Sequence, residues 1–380
     1  MCIRDRFDYR PNSWNHIRFG SNYIRHLFVP QNYYSKYDNN SQDELTENVD
    51  SWYKSNEFTL YAEDEMTLCK SVKLNGGLHY TLFGISGTKY HSIEPRAAIN
   101  FRLCNKASLK VSYTEMSQFM HQLSATYLNL PTDYWVPSTA RITPMKARQY
   151  AVGVYTQLPY NIRWSVEGFY KTMDDLIDYD GNSGMLNPMA DRWEEDVRTG
   201  KGKAYGMETD IRYSNGKTSV DASYTLSWSK RFFPDFHSSW YPDKFDNRHR
   251  FSVNIGHKLN ERIDVYASWN YHSGNRMTIP TQQVDAPVIP GVEKVNEGMM
   301  IYEMPNNVSL PAYHRLDLGI NFRKTTKRGF ERIWNISLYN AYCRMNPLYA
   351  TVQQNPDGTF VGKAHGVFPI IPSFSYTLKF

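Results

Sequence analysis

The feature that most constrains this chain is a strict two-residue alternation of apolar and polar side chains. Residues 218–230 read TSVDASYTLSWSK. Alternate positions of this stretch are apolar or aromatic, and the positions between them carry mainly hydroxyl groups. The apolar set is Val220, Ala222, Tyr224, Leu226 and Trp228. An α-helix repeats about every 3.6 residues and cannot hold this register, so the pattern predicts a β-strand with two different faces.

The same alternation recurs along the chain and predicts about fourteen strands. They cover residues 16–29, 52–63, 67–82, 92–103, 107–119, 146–157, 160–172, 202–214, 217–230, 247–258, 261–273, 312–324, 331–343 and 371–380. Many are longer than a typical soluble strand of about 5–6 residues. A tilted strand needs about 9–11 residues to cross a bilayer. We therefore expect an all-β antiparallel fold whose strands span a membrane.

The connections between these segments alternate between short and long. The short ones are 63–66, 104–107, 158–161, 214–217, 259–262 and 325–330. The long ones are 30–51, 83–91, 120–145, 173–201, 231–246, 274–311 and 344–370. A soluble sandwich has no reason to collect its long loops at one end, whereas a transmembrane barrel has short periplasmic turns and long external loops. The connections therefore predict an up-and-down transmembrane β-barrel.

The chain ends in SFSYTLKF, within a strand pattern rather than in a polar tail. Its aromatic and aliphatic positions are Phe374, Tyr376, Leu378 and Phe380. In a barrel the last strand pairs with the first, which leaves no open edge. We therefore predict that these four residues face lipid on a barrel-closing strand, with Phe380 at the periplasmic rim. The alternative is the last strand of a soluble sheet.

Composition excludes several other classes of protein. The mean hydropathy is −0.60, and no run of about 18 apolar residues predicts a transmembrane helix. The net charge of +5 is spread along the chain, so nucleic acid is not an expected partner.

The four cysteines lack the spacing of a zinc site, and no cofactor is expected. Cys69 and Cys104 are either free thiols or a disulfide. We interpret residues 1–8 as a non-native leader, because MCIRDR does not share the alternation, and residues 9–380 as barrel.

Several segments together resemble the C-terminal barrel portion of TonB-dependent outer-membrane receptors, particularly the Bacteroidetes type. They are AYGMETDIRY (204–213), FDNRHRFSVNIGHKL (245–259), PAYHRLDLGINFRK (311–324), WNISLYNAYCRMNP (334–347) and PSFSYTLKF (372–380). The resemblance implies a 22-stranded barrel with a plugged lumen, a barrel class of known dimensions. Its plug and about eight further strands are absent from this sequence. We therefore interpret the chain as the barrel fragment of a larger receptor.

The resemblance also implies a function in the outer membrane of a Gram-negative cell. An intact receptor would bind a scarce external solute and import it with energy from TonB, contacted through the missing N-terminal plug. The solute stays open among siderophore, cobalamin, haem, oligosaccharide and peptide. Membrane lipid is an expected partner, and a surface lipoprotein is a further candidate.

Aromatic-rich long loops supply the candidate solute contacts, because Tyr and Trp give large, rigid contact surfaces. The candidates are Asp235, His237, Trp240, Tyr241, Asp243, Tyr134, Trp135, Arg141, Asp191 and Trp193. The alternative for each aromatic residue is a place in the interfacial girdle or in packing between loops. The stretch DYDGNSG (178–184) lacks the downstream Glu of a calcium loop, and we interpret it as an ordinary turn.

No motif brackets a catalytic nucleophile, so we do not expect an enzyme. The alternatives that stay open are an outer-membrane barrel enzyme, a porin-like channel and a secreted β-rich carbohydrate-binding protein.

Overall fold

A computed structural model describes residues 2–28, 32–37, 45–50, 52–123, 134–179, 193–195, 197–284, 299–326, 329–356, 358–366 and 368–380. Every regular element in these ranges is a β-strand, and all the strand pairs are antiparallel. A search of the same ranges for helices that could span a bilayer finds none. The all-β antiparallel prediction is therefore confirmed.

One sheet of sixteen strands dominates the fold. Its path contains β1 (Cys2–Tyr9), β2 (Asn15–Phe28), β5 (Tyr53–Cys69), β6 (Val72–Ile85), β7 (Thr88–Cys104), β8 (Ala107–Gln118), β11 (Met145–Leu158), β12 (Ile162–Tyr179), β13 (Val197–Ser214), β14 (Thr218–Phe232), β16 (His249–Lys258), β17 (Ile263–His272), β22 (Tyr313–Thr325), β23 (Glu331–Tyr339) and β26 (Ile371–Lys379). Strands that follow one another along this path are hydrogen-bonded neighbours. β15 (Tyr241–Pro242) pairs with β14 outside the path.

Short hairpins lie within the long connections. They are β3 (Asn32–Tyr37) with β4 (Leu45–Asp50), β9 (Met120–Leu123) with β10 (Tyr134–Pro137), β18 (Arg276–Met277) with β21 (Val308–Ser309), β19 (Gln282–Val284) with β20 (Met299–Ile301), and β24 (Pro347–Gln354) with β25 (Phe360–Gly366). The long connections therefore carry structure of their own.

All the predicted strands lie in the main sheet, and β1 is an additional strand that the sequence pattern missed. Residues 2–9 pair with β2 over their whole length, and Phe7 stacks on Phe19 at 5.3 Å between ring centroids. The estimate of about fourteen strands is therefore one too low for the main path. Whether residues 1–8 are native sequence stays a prediction.

Two of the predicted connections are wrong. β5 continues through 63–66 as far as Cys69, where a turn at 70–71 leads into β6. β6 and β7 meet at Ser86 and Gly87 rather than in a long segment over 83–91. Both turn residues have positive φ, 42° and 86°, which matches the tight turns that suit the twist of a β-hairpin.

The other long connections all lie at one end of the sheet, as predicted. They span 29–52, 119–144, 180–196, 233–248, 273–312 and 340–370. The opposite end has only the short turns at 10–14, 70–71, 105–106, 159–161, 215–217, 259–262 and 326–330. We refer to the two ends as the long-connection end and the short-turn end.

The apolar face of the main sheet is uncovered. Val152 and Ile336 are each 51% exposed, and Phe374 is 63% exposed. The buried apolar clusters lie instead among residues at the long-connection end. The largest one contains Leu123, Val136, Ile142, Tyr179, Trp193 and Val197. No second layer in the described part of the chain covers the apolar face, which is the condition that a lipid-facing surface requires.

The opposite face of the sheet, which we call the bore face, is polar and internally hydrogen-bonded. The side chain of Asn321 donates to the Asp264 carboxylate at 2.7 Å, and Asn335 donates to Asn321 at 2.7 Å. Arg18 pairs with Glu63 at 2.8 Å on the same face. Alternation in the sequence therefore becomes one apolar face and one hydrated face.

The predicted closure of the barrel is not found among the described residues. β26 pairs with β23 alone, through partners such as Phe374 with Ile336 and Tyr376 with Trp334. β1 lies at the opposite edge of the path, so the last strand does not hydrogen-bond to the first. Leu378 is also exposed, as expected for a lipid-facing position, whereas Phe380 follows the end of β26 and is 98% exposed.

The cysteines Cys69, Cys104 and Cys343 are free and exposed. Of the two alternatives for Cys69 and Cys104, the structure therefore has free thiols.

Candidate functional site

A polar cavity opens on the bore face at the long-connection end of the sheet. Its volume is about 290 Å³. Strands β8, β9, β12, β14 and β15 and the residues around them line it. The residues that matter for its chemistry are His121, Trp135, Asp178, Arg231, Tyr241, Asp243, Lys244 and Asn306. We refer to this space as the bore cavity.

A β-bulge in β12 turns Asp178 toward the bore cavity. The pairing of β12 with β13 shifts between Met173 and Leu176, where β12 has one residue more than its partner. Asp175 lies in this bulge with φ at 58°, a left-handed conformation that Asp adopts more readily than most residues. Since an extra residue reverses the alternation, Leu176 and Asp178 reach the cavity while Asp174 faces the other side.

Asp178 is a partly buried carboxyl group that forms no ion pair within the described residues. Its Oδ1 accepts a hydrogen bond from the backbone N–H of Tyr179 at 2.9 Å. Asp178 lies sixteen residues after Ile162, the first residue of β12 at the short-turn end. Since about 9–11 residues cross a bilayer, Asp178 lies outside the membrane-spanning part of β12. Burial raises the pKa of Asp178 to about 7, although the nearby positive charge of Arg231 acts in the opposite direction. Near neutral pH this carboxyl group is therefore poised to gain or lose a proton.

An ion pair fixes the neighbouring wall of the bore cavity. Arg231 donates to Asp243 Oδ2 at 3.0 Å, and the hydroxyl of Ser229 donates to the same oxygen at 3.1 Å. Tyr241 is almost fully buried, and this burial raises its pKa above the ordinary value. Tyr241 therefore keeps its phenolic proton.

Two buried polar side-chain atoms of residues that line the bore cavity have no hydrogen-bond partner in the described part of the chain. They are His121 Nδ1 and Asn306 Oδ1. The Nε2 atom of His121 lies 3.0 Å from Ser138 Oγ, and burial lowers the pKa of His121 to about 4. The imidazole is therefore neutral at physiological pH. Because unpaired buried polar atoms are costly, the site suits a ligand that donates a hydrogen bond to Asn306 Oδ1 and supplies a complementary polar group to His121 Nδ1, whose role depends on the tautomer.

Three of the predicted solute contacts line the bore cavity, namely Trp135, Tyr241 and Asp243. Asp235 and His237 belong to the same connection but do not line it. Asp235 is exposed and lies 3.9 Å from Arg198, and His237 contacts Ser239.

The other predicted contacts have different surroundings. The ring of Trp240 stacks on that of Phe232, with 5.6 Å between centroids, and Lys203 lies over it. These surroundings correspond to the alternative of a place in the interfacial aromatic girdle. Trp193 is fully buried and donates from Nε1 to Tyr53 Oη at 3.2 Å, so in this structure it packs the loops together. Arg141 pairs with Glu195 at 3.0 Å on the surface. Asp191 and the side chain of Tyr134 lie outside the described residues.

The sequence interpretation missed Asp178, Arg231, His121 and Asn306. Asp178 begins the DYDGNSG stretch that was interpreted as a turn, and no alternation signal marks the bulge before it. Within the described ranges, no group of three or more His, Cys, Asp or Glu residues could hold a metal ion.

The fold is a long antiparallel sheet with one apolar and one polar face, the bore cavity on the polar face and long connections at one end. Residues 3–342 match the family model described as TonB dependent receptor-like, beta-barrel. The chain belongs to this family. This TonB-dependent receptor chain is therefore an outer-membrane β-barrel protein of a transport family, as its sequence predicts. Its assignment to the Bacteroidetes type stays a prediction.

Solved structures of low sequence identity share the fold. FyuA, the ferric yersiniabactin uptake receptor from Yersinia pestis, has a TM-score of 0.64 at 12% identity, covering 100% of this chain and 54% of that chain. The FrpB iron transporter from Neisseria meningitidis (F3-3 variant) has a TM-score of 0.61 at 13% identity, covering 99% and 54%. The ferripyoverdine receptor of Pseudomonas aeruginosa bound to ferripyoverdine has a TM-score of 0.61 at 14% identity, covering 99% and 47%.

This TonB-dependent receptor chain spans about half the length of those solved relatives. A comparison with curated proteins finds no match.

Proposed function

We propose that this chain is the barrel portion of an active-transport receptor that binds a scarce external solute at the bore cavity. The observation that carries the proposal is the partly buried Asp178 carboxyl group, which forms no ion pair among the described residues, beside Arg231 and two buried polar atoms without a partner there. Buried polar groups of this kind favour binding a ligand that completes their hydrogen bonds. Import would draw energy from TonB through a plug domain supplied by the rest of a full-length receptor.

A ferric chelate is the leading solute in this proposal. The relatives named above are an uptake receptor for ferric yersiniabactin, an iron transporter and a ferripyoverdine receptor. Siderophores carry hydroxyl and amide donors that suit Asn306 Oδ1, and their anionic groups suit Arg231. Cobalamin, haem and oligosaccharides are the competing solutes. A surface lipoprotein would act as an external partner, and a receptor of this kind needs no catalytic residue.

A binding experiment on the full chain, folded in detergent micelles, tests the proposal. The probes are ferric yersiniabactin, ferripyoverdine, haem, cyanocobalamin and maltohexaose, each followed by titration calorimetry. Asp178→Asn and Arg231→Gln should each raise the Kd of the bound probe about tenfold, as expected for loss of one charged hydrogen bond. The matched control is Asp221→Asn, on the bore face near the short-turn end, where Asp221 is exposed and lies 3.7 Å from Arg212.

The control should bind the probe as the unmodified chain does. The proposal is wrong if no probe binds, or if Asp221→Asn weakens binding as much as Asp178→Asn does. Circular dichroism and heat-modifiable gel migration confirm that each variant is folded before it is titrated.

A further inference from the structure

Five aromatic side chains form a continuous row across the outer, apolar face of the sheet. Direct cross-strand pairs connect them through β8, β11, β12, β13 and β14. The row consists of Tyr113, Tyr150, Tyr170, Tyr205 and Trp228. Trp228 lies ten residues after Thr218, the first residue of β14 at the short-turn end. Since about 9–11 residues cross the bilayer, this aromatic row lies at the external interface.

The next row toward the long-connection end is charged. Two residues further along each strand, the directly paired positions are Glu115, Arg148, Thr172, Lys203 and Lys230. Lys146 and Lys201 lie just beyond this row on the same face, where Lys146 pairs with Asp174 and Lys201 with Phe232. We refer to Lys146, Arg148, Lys201, Lys203 and Lys230 as the basic strip. Two residues of strand separate the rows by about 7 Å.

The acidic neighbours leave the basic strip with excess positive charge. Glu115 and Asp174 face the five cations. Arg148 lies 3.6 Å from Glu115 and 3.8 Å from Asp174, and Lys201 lies 3.9 Å from Asp174. Such long contacts between exposed side chains contribute little, at most about 1 kcal/mol each. The cations are therefore available to an external anion.

The positive charge is densest in the basic strip. Near the long-connection end of the outer face, β16, β17 and β22 carry His249, Tyr271 and His314, and single cations lie on β2, β5 and β7, namely Arg25, Lys54 and Lys89. His249 contacts the hydroxyl of Tyr224, and His314 contacts that of Tyr342. The basic strip differs from these positions because it groups five cations within the sector from β11 to β14.

We propose that the basic strip binds the anionic head group of an outer-leaflet lipid. The aromatic row places the strip at head-group depth, and the face below it is apolar and suited to acyl chains. Positively charged clusters beside a membrane bind anionic lipids at about 1 kcal/mol per Lys or Arg. The lipid would lie against β11 to β14, outside the barrel wall that carries the bore cavity, so it is a separate site from the proposed solute site.

Native mass spectrometry of the full chain in detergent micelles tests the proposal. The probes are dioleoylphosphatidylglycerol and dioleoylphosphatidylcholine, which share their acyl chains and differ in head-group charge. The unmodified chain should bind the anionic lipid with an affinity about tenfold higher than its affinity for the zwitterionic lipid. The variant Lys146→Gln/Arg148→Gln/Lys203→Gln/Lys230→Gln should bind both lipids about equally.

The matched control removes the same charge from the bore face near the short-turn end. It is Lys73→Gln/Arg102→Gln/Lys110→Gln/Arg163→Gln, and it should keep the tenfold preference. The proposal is overturned if the unmodified chain binds both lipids equally, if the basic-strip variant keeps the preference, or if the control loses it to the same extent. Displacement of the lipid by a large excess of inorganic phosphate would also overturn it, because the strip would then recognise free anions rather than lipid.

Discussion

At the residue scale, Asp178 faces the bore because the bulge adds one residue to β12 and none to β13. The predicted strand ends at residue 172 and the following stretch MDDLIDY (173–179) does not alternate, so no register in the sequence places Asp178 on the bore face. Tyr241 and Asp243 could be predicted from the density of aromatic and charged residues in their connection. Local composition thus indicates a connection that contributes to the bore cavity, whereas the backbone irregularity places Asp178 in the wall of that cavity.

His121 makes the external β9–β10 hairpin sensitive to acid. The pKa of His121 in the folded state is about 4, below its value of about 6.5 in an unfolded chain. Between these values the unfolded hairpin binds a proton that the folded hairpin does not, so stability falls as pH falls. We expect a loss of about 1.4 kcal/mol in local stability between about pH 7.5 and about pH 5.5.

Amide hydrogen exchange of the full chain measures this loss. After correction for intrinsic rates, exchange of the amides over 119–123 should be about tenfold faster at the lower pH. The amides of β14 serve as an internal reference, and His121→Asn should abolish the difference. A pH-independent exchange rate in the unmodified hairpin would contradict the assignment of a neutral buried imidazole.

At the element scale, the strands were easier to predict than their ends. The alternation of apolar and polar residues assigns each side chain of a strand to one face of the sheet, and it can be seen directly in the sequence. A strand end depends on pairing partners. Residues 63–66, which read EDEM, are polar residues typical of a turn. Glu63 nevertheless lies within β5, because Arg18 on β2 pairs with it. Tight turning at Ser86 and Gly87 likewise depends on positive φ values rather than on loop length.

The face assignment of β14 predicts opposite outcomes for two adjacent substitutions. Ala222→Arg places a charge on the outer face near the middle of the bilayer, at a cost of about 2–4 kcal/mol. Ser223→Arg places the same group on the bore face, beside Asp210 of β13. We expect Ala222→Arg to prevent folding into vesicles and Ser223→Arg to fold normally, as measured by heat-modifiable gel migration. Equal folding of the two variants would show that the faces are misassigned.

At the scale of the whole molecule, the sequence predicts the all-β class, the antiparallel order and the end that carries the long connections. These follow from local patterning and chain order. The sequence pattern did not predict that β1 and β26 are edge strands. The pairing of an edge strand depends on which other strands are present rather than on its own pattern. Residues 2–9 illustrate the same limit, since their pairing with β2 is not visible from their own composition.

The account depends on one claim, that alternate residues of the long strands contact lipid and water. The most direct test is a cysteine scan over residues 219–228, with spin labels, in the full chain folded into vesicles and with its four native cysteines replaced by serine. Even-numbered positions should be accessible to oxygen in the lipid phase, and odd-numbered positions to a water-soluble nickel chelate. An accessibility pattern without this two-residue period, or with the two sets exchanged, would contradict the account.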